Sequence, residues 1–192
     1  MANDVVLVET SDVDKETLWL TICALTSLGD QQEKSKPIYL AFNSGGGDGL
    51  YGLGLYHFIK GLEREIISVN LDQCSSAVLM PYLACEKRLS LPDAKFGIHC
   101  PYKKVDGKIV KLDDAFHKLQ QQLLPKHPAI VEALSEADPI RFFSADDLYQ
   151  NNMIVSQIIS NDHLFSEGTI VASVKDNQLR MGGCQAAGLI SY

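Results

Sequence analysis

The sequence predicts an α/β fold with a mostly parallel sheet, and three observations predict it. Short apolar, β-branched runs alternate with helical patterns from Val5 to Cys85. Two of the strand-to-helix joints are turns of glycine or small residues, Asn43 to Gly49 and Gln73 to Ala77. Hydrophobic residues make up 46% of the 192 and charged residues 21%, an ordinary balance for a folded chain and too apolar for a disordered one.

Val5-Val6-Leu7-Val8 is the first strand pattern. Ser11 to Asp14 then offers caps for a helix over Lys15 to Ser27, with Leu18, Ile22 and Leu25 on one face and Gly29-Asp30 as its end. Pro37 to Phe42 is the second strand, followed by the glycine turn and a helical pattern over Leu50 to Leu62. Ile66 to Leu71 is the third strand and Ser75 to Cys85 a helix in which Pro81 removes a hydrogen bond or kinks the axis. Arg88 to Leu91 and Lys95 to His99 read as strands. Asp106-Gly107 reads as a hairpin turn between Tyr102–Lys104 and Lys108–Lys111. Helical patterns follow over Asp113 to Leu124, Pro128 to Leu134 and Ser144 to Gln150, the last with Ser144 as N-cap. Thr169 to Val174 and Leu179 to Met181 read as a terminal hairpin around Lys175-Asp176-Asn177.

Charge and length exclude several function classes. The formal net charge is −7 and the pI about 5.1. No basic cluster offsets the acidity, so no nucleic-acid partner is expected, because phosphate affinity comes from grouped Lys and Arg. No apolar run approaches the roughly 20 residues that span a bilayer, so no membrane partner is expected. Met1-Ala2-Asn3-Asp4 lacks the basic and apolar regions of a secretory signal, which points to a cytoplasmic protein. Cys23, Cys74, Cys85, Cys100 and Cys184 are odd in number and never at CxxC spacing, so neither a disulfide framework nor a zinc or other metal site is expected.

Three places carry chemistry. In Asn43 to Gly49, consecutive Gly45, Gly46 and Gly47 let backbone N–H groups approach a ligand, though a tight turn explains them equally well. At Gln73-Cys74-Ser75-Ser76-Ala77, a serine between a strand and a helix is either an N-cap or a nucleophile beside a helix N-terminus. His99, ending a strand in Ile98-His99-Cys100-Pro101, titrates near neutrality and suits a general base or a structural role. His57 and His117 lie on helical patterns and read as surface or satisfied residues; His127 and His163 carry no further signal.

In this order the three places resemble the proteolytic subunit of Clp protease, the ClpP family of the ClpP/crotonase fold. The family's I-x-L-x-I-N-S-P-G-G and G-L-x-I-Y are similar to Ile38 to Gly47 and to Gly52-Leu53-Gly54-Leu55-Tyr56. G-Q-A-A-S-M-G-A is similar to Asp72 to Leu79, and K-R-x-x-L-P with I-H-Q-P to Lys87 to Pro92 with Ile98 to Pro101. R-F-L-S-A-x-E-A is similar to Arg141 to Leu148. The resemblance covers Val5 to Ile159. It implies repeated ββα units, a serine endopeptidase domain over residues 1–161 with a shortened handle at about 102–124, and a C-terminal extension over 162–192, expected as a β-hairpin.

The resemblance implies Ser76, rather than Ser75, as nucleophile, His99 as its base, and the N–H groups of Gly47 and Ala77 as the oxyanion hole. It also implies a peptide or unfolded-protein substrate, an acyl-enzyme intermediate, no cofactor, and a homo-oligomeric ring. The family's catalytic aspartate position is Ile140 here, and Asp138, two residues earlier, is the candidate third member. Gly45 replaces the proline of the glycine turn. The family's N-terminal axial-loop segment has no counterpart before Val5, which counts against docking to an unfoldase ATPase. Two other functions fit: a catalytically impaired structural or regulatory subunit, which Ile140 favours, and a crotonase-like acyl-CoA enzyme, which the Ser76–His99 pair opposes.

Overall fold

The computed structural model describes residues 5–9, 12–31, 36–151, 153–164, 169–175, 178–185 and 188–191. The first strands and helices follow the alternation of the sequence: β1 (Val5–Glu9), α1 (Lys15–Gln31), β2 (Ile38–Ser44), α2 (Gly49–Gly61) and β3 (Ile66–Ser75). β1, β2 and β3 pair in parallel, Leu7 beside Leu40 and Leu40 beside Ser68. Alternate side chains of a strand face opposite ways, and both faces of this sheet are covered. Leu40 and Phe42 belong to the main core with Leu25, Leu55 and Tyr82, whereas Ala41, Ile67 and Val69 pack with Leu89 and Ile159 on the other side. That is why β2 reads as an almost unbroken apolar run.

Helix α1 runs past Gly29-Asp30, the end expected from the sequence, to Gln31. Leu28 is buried and extends the apolar face; an interior glycine costs a helix only about 1 kcal/mol, less than the burial of a leucine contributes. The helix expected over Ser75 to Cys85 is instead a 3₁₀ turn, Ser76–Val78, and a short α3 (Leu79–Ala84). Pro81 is therefore the third residue of a new helix rather than a break in an old one, a position where its missing N–H matters little. Tyr82 of α3 lies fully buried between Phe42 and Phe96, with ring centroids 6.5 Å and 5.2 Å away.

The third strand decides where the site falls. β3 is longer than its apolar stretch, and its two halves have different partners. Ser68 to Asn70 pair with β4 (Arg88–Ser90), and Gln73 to Ser75 pair with β5 (Lys95–Ile98), both in parallel. Beyond β5, the chain forms the hairpin β6 (Tyr102–Val105) and β7 (Lys108–Lys111), which stands apart from the main sheet, and then α4 (Ala115–Leu123) and α5 (Pro128–Ser135). β8 (Arg141–Ser144), a segment the sequence offered only as a motif, pairs antiparallel with β5 and leads into α6 (Ala145–Gln150).

β9 (Gln157–Ile158) pairs with β4, and α7 (Asn161–Leu164) follows. The C-terminal segment forms β10 (Ile170–Lys175), β11 (Gln178–Gln185) and β12 (Gly188–Ser191). β10 lies parallel to β1, and β11 and β12 continue the sheet antiparallel outward. Residues 176 and 177 of the expected turn lie outside the described residues. Among the described residues no helix is long and apolar enough to cross a membrane.

Candidate active site

Parallel neighbours end on the same side of a sheet, and this brings Ser76 and His99 together. Ser75 stands opposite Gly97 in the β3–β5 register, so the residues that follow each strand emerge side by side. Ser76 Oγ and His99 Nε2 are 2.8 Å apart, hydrogen-bond distance. Ser76 has φ 55, the left-handed region that a serine enters only when its surroundings hold it there. Ser75, the alternative, is wholly buried, makes no side-chain cap bond, and accepts a hydrogen bond from Gln73 Nε2 at 3.0 Å.

The glycine turn lies against this pair. Gly46 and Gly47 have φ 118 and 141, open to glycine and strained for any other residue. A Cβ on Gly46 would meet Ser76 Cβ at 2.6 Å, and one on Gly47 would meet the Val13 carbonyl oxygen at 2.4 Å. The turn is fixed to the start of α1 by Val13 N–H donating to Gly46 O and Asp48 N–H donating to Val13 O, both at 2.7 Å. Asp48 then caps α2 by accepting the N–H of Leu50 at 2.8 Å. A cavity of about 600 Å³ opens here, and Gly47, Ser76, Ala77 and His99 all line it, with Tyr102 and Ile140.

The imidazole is 6% exposed. Its Nδ1 is 2.8 Å from the carbonyl oxygen of Cys100. A carbonyl only accepts, so Nδ1 carries the proton and Nε2 of the neutral ring is left to accept from Ser76. Burial pushes the His99 pKa below its ordinary value of 6.5; backbone hydrogen bonding to Cys100, the negative charge of Asp138, and backbone hydrogen bonding to Ala137 oppose the shift. The shift favours the neutral ring.

The candidate acids divide. Ile140 lines the cavity and packs above Gly97, where an added Cβ would meet Ile140 Cγ2 at 3.0 Å. Asp138 is exposed and acts on His99 through its charge; among the described residues the Nδ1 hydrogen bond goes to Cys100 O. The Cys100 N–H in turn donates to Glu136 O at 2.6 Å, which ties the end of β5 to the loop carrying Asp138.

That a main-chain carbonyl takes the place next to Nδ1 was invisible in the sequence, because any residue supplies one. His117, expected at the surface or satisfied, is buried, with Nε2 2.8 Å from Gln121 Nε2 and Nδ1 unpartnered. Cys74 and Cys85 are buried thiols, and burial pushes Cys85 up to about 12 and Cys74 well above its ordinary value.

The fold and this cavity define an α/β protein of the ClpP/crotonase architecture. The family model for Clp protease matches residues 1–127, and the chain belongs to that family. The proteolytic subunit 3 of an ATP-dependent Clp protease from Synechococcus sp. (strain CC9605) is 35% identical over 74 residues, 38% of this chain and 37% of that relative. The chain thus matches little more than a third of that curated relative's length.

Among solved structures, a point mutant of ClpP1 from Listeria monocytogenes aligns with TM-score 0.67 at 21% identity, over 82% of this chain and 92% of its own. The unmutated ClpP1 of the same organism aligns with TM-score 0.65 at 22% identity, over 81% and 91%. The α/β fold with a mostly parallel sheet expected from the sequence is the one observed.

Proposed function

We propose that the chain is a serine endopeptidase that cleaves peptides or unfolded segments through an acyl-enzyme. The observation that carries this reading is the 2.8 Å contact between Ser76 Oγ and His99 Nε2 inside a cavity large enough for a substrate segment. A serine hydroxyl is a weak nucleophile until a base takes its proton. Here Oγ attacks the scissile carbonyl as Nε2 takes the proton, and the negative charge that develops on the carbonyl oxygen needs fixed donors. The backbone N–H groups of Gly47 and Ala77, both on the cavity wall, are the groups that serve. Nε2 then gives the proton to the leaving amine, and a water repeats the sequence to release the acyl group.

In this reading the third position is shared. The Cys100 carbonyl fixes the tautomer, and the Asp138 charge favours the imidazolium from further away. The Gly46 conformation supports it too, since a Cβ there would meet Ser76 Cβ at 2.6 Å and crowd the nucleophile.

We also propose that the chain works as a homo-oligomeric ring. Val105, Ile109 and Val110 on the β6–β7 hairpin, and Phe142 on β8, are apolar and exposed, which suits burial against further copies. A cytoplasmic setting follows from the family.

The test is turnover of a fluorogenic peptide by the wild-type protein and by Ser76→Ala, with assembly followed by light scattering. Turnover lost by a thousandfold or more in Ser76→Ala, with assembly unchanged, supports the peptidase. A second reading is favoured by one observation, the apolar Ile140 where the family places its acid. An intact assembly with no turnover and no serine labelling assigns the chain to that reading, a structural or regulatory subunit. Binding of an acyl-CoA without peptide turnover would mark the crotonase-like alternative.

A further inference from the structure

We infer that Tyr102 is a positioning residue for His99: its ring holds the imidazole against Ser76 and stabilises the positive charge that the imidazole carries while it holds the Ser76 proton. The inference rests on the reading of His99 as the general base. The two ring centroids are 5.5 Å apart with an interplanar angle of 59°, and both residues line the same cavity. A cation within about 6 Å of an aromatic ring centroid is attracted by its π electrons.

The need for such a group follows from the rest of the site. A base that accepts a proton in a buried place must have the resulting charge balanced, and in serine hydrolases a carboxylate on Nδ1 does this. Here Nδ1 meets a neutral carbonyl, and Asp138 stands exposed. Asp138, on the loop after α5, acts on the ring through its charge, and Asp48, Lys103 and Asp114 line the same cavity from the cap of α2, from β6 and from the cap of α4.

Tyr102 is also firmly placed. It opens β6 opposite Lys111, and the hairpin is closed at its base by Leu112 N–H donating to Pro101 O at 2.8 Å. The tyrosine backbone therefore has little freedom to swing its ring away from His99.

The experiment is an NMR titration of the His99 ring in the full chain, wild type against Tyr102→Leu and Tyr102→Phe. It is paired with the pH dependence of Ser76 labelling by a serine-directed phosphonate. Leucine keeps the site apolar and removes the π electrons; phenylalanine keeps the ring. The His99 midpoint is expected to fall by about half a unit to one unit in Tyr102→Leu and to return to the wild-type value in Tyr102→Phe. The maximal labelling rate is expected to fall about tenfold in Tyr102→Leu. If Tyr102→Leu does not fold, Tyr102→Met serves the same purpose.

An unmoved midpoint in the leucine or methionine variant overturns the inference, as does a phenylalanine variant that behaves like leucine. The two readings fail separately. Absence of Ser76-dependent labelling in the wild type removes the peptidase assignment, while the midpoint still reports the Tyr102 contact. Normal labelling with an unmoved midpoint removes only the role of Tyr102.

Discussion

His99 directs Nδ1 at the carbonyl oxygen of the next residue, Cys100, 2.8 Å away. A side chain bonded to its own neighbour's main chain is held as firmly as the strand end itself. That strand end is held by the Cys100 N–H on Glu136 O. The arrangement supplies the orientation that a triad carboxylate supplies, without its charge.

It follows that Asp138 matters through charge alone. Asp138→Asn should lower kcat several-fold rather than the ~10⁴ that follows loss of an orienting carboxylate. It should also lower the His99 midpoint further, because the Asp138 charge now raises it. Steady-state kinetics across pH would check both; a collapse of ~10⁴ would place the aspartate on the imidazole during turnover.

Ile140 offers the converse. It lines the same cavity as His99, so Ile140→Asp adds a carboxylate to the wall of that cavity. The acid limb of the rate profile should move to higher pH, since a nearby negative charge favours the imidazolium. An unmoved limb would mean that the new carboxylate points elsewhere.

The wild-type acid limb has a defined sign. The His99 pKa lies below 6.5 because burial penalises the charged ring. The base is neutral above that pKa and is lost to protonation below it, so activity should rise with pH and reach half of its plateau at a pH under 6.5. Initial rates from acid to neutral pH measure this directly.

Gly46 and Gly47 should tolerate no side chain. Gly46→Ala places a Cβ 2.6 Å from Ser76 Cβ at φ 118, and Gly47→Ala places one 2.4 Å from Val13 O at φ 141. Each should cost about 1–3 kcal/mol of stability and most of the activity, read by thermal melts alongside peptide turnover. A stable, fully active Gly47→Ala would separate this turn from the chemistry.

Much of this was legible in the sequence. Strand and helix patterns alone left Ser75, Ser76 and His99 with structural readings; only the order of the motifs, through the family resemblance, singled out Ser76 and His99. The glycine triplet could be found because consecutive glycines demand unusual backbone. What could not be read is the split of β3 between β4 and β5, since Asp72, Gln73 and Cys74 carry no strand signal and their pairing is set by distant residues. β8 hid because Arg141-Phe142-Phe143-Ser144 is too short for a periodic signal. The partner of Nδ1 hid because carbonyl groups leave no trace in side-chain chemistry.

Mass spectrometry of the intact chain after reaction with a serine-directed phosphonate, followed by peptide mapping, shows whether Ser76 is the nucleophile. One adduct per chain is expected, located on Ser76, absent in Ser76→Ala and strongly slowed in His99→Ala. An unmodified wild-type chain, or an adduct on another residue that forms equally well without His99, would contradict that assignment.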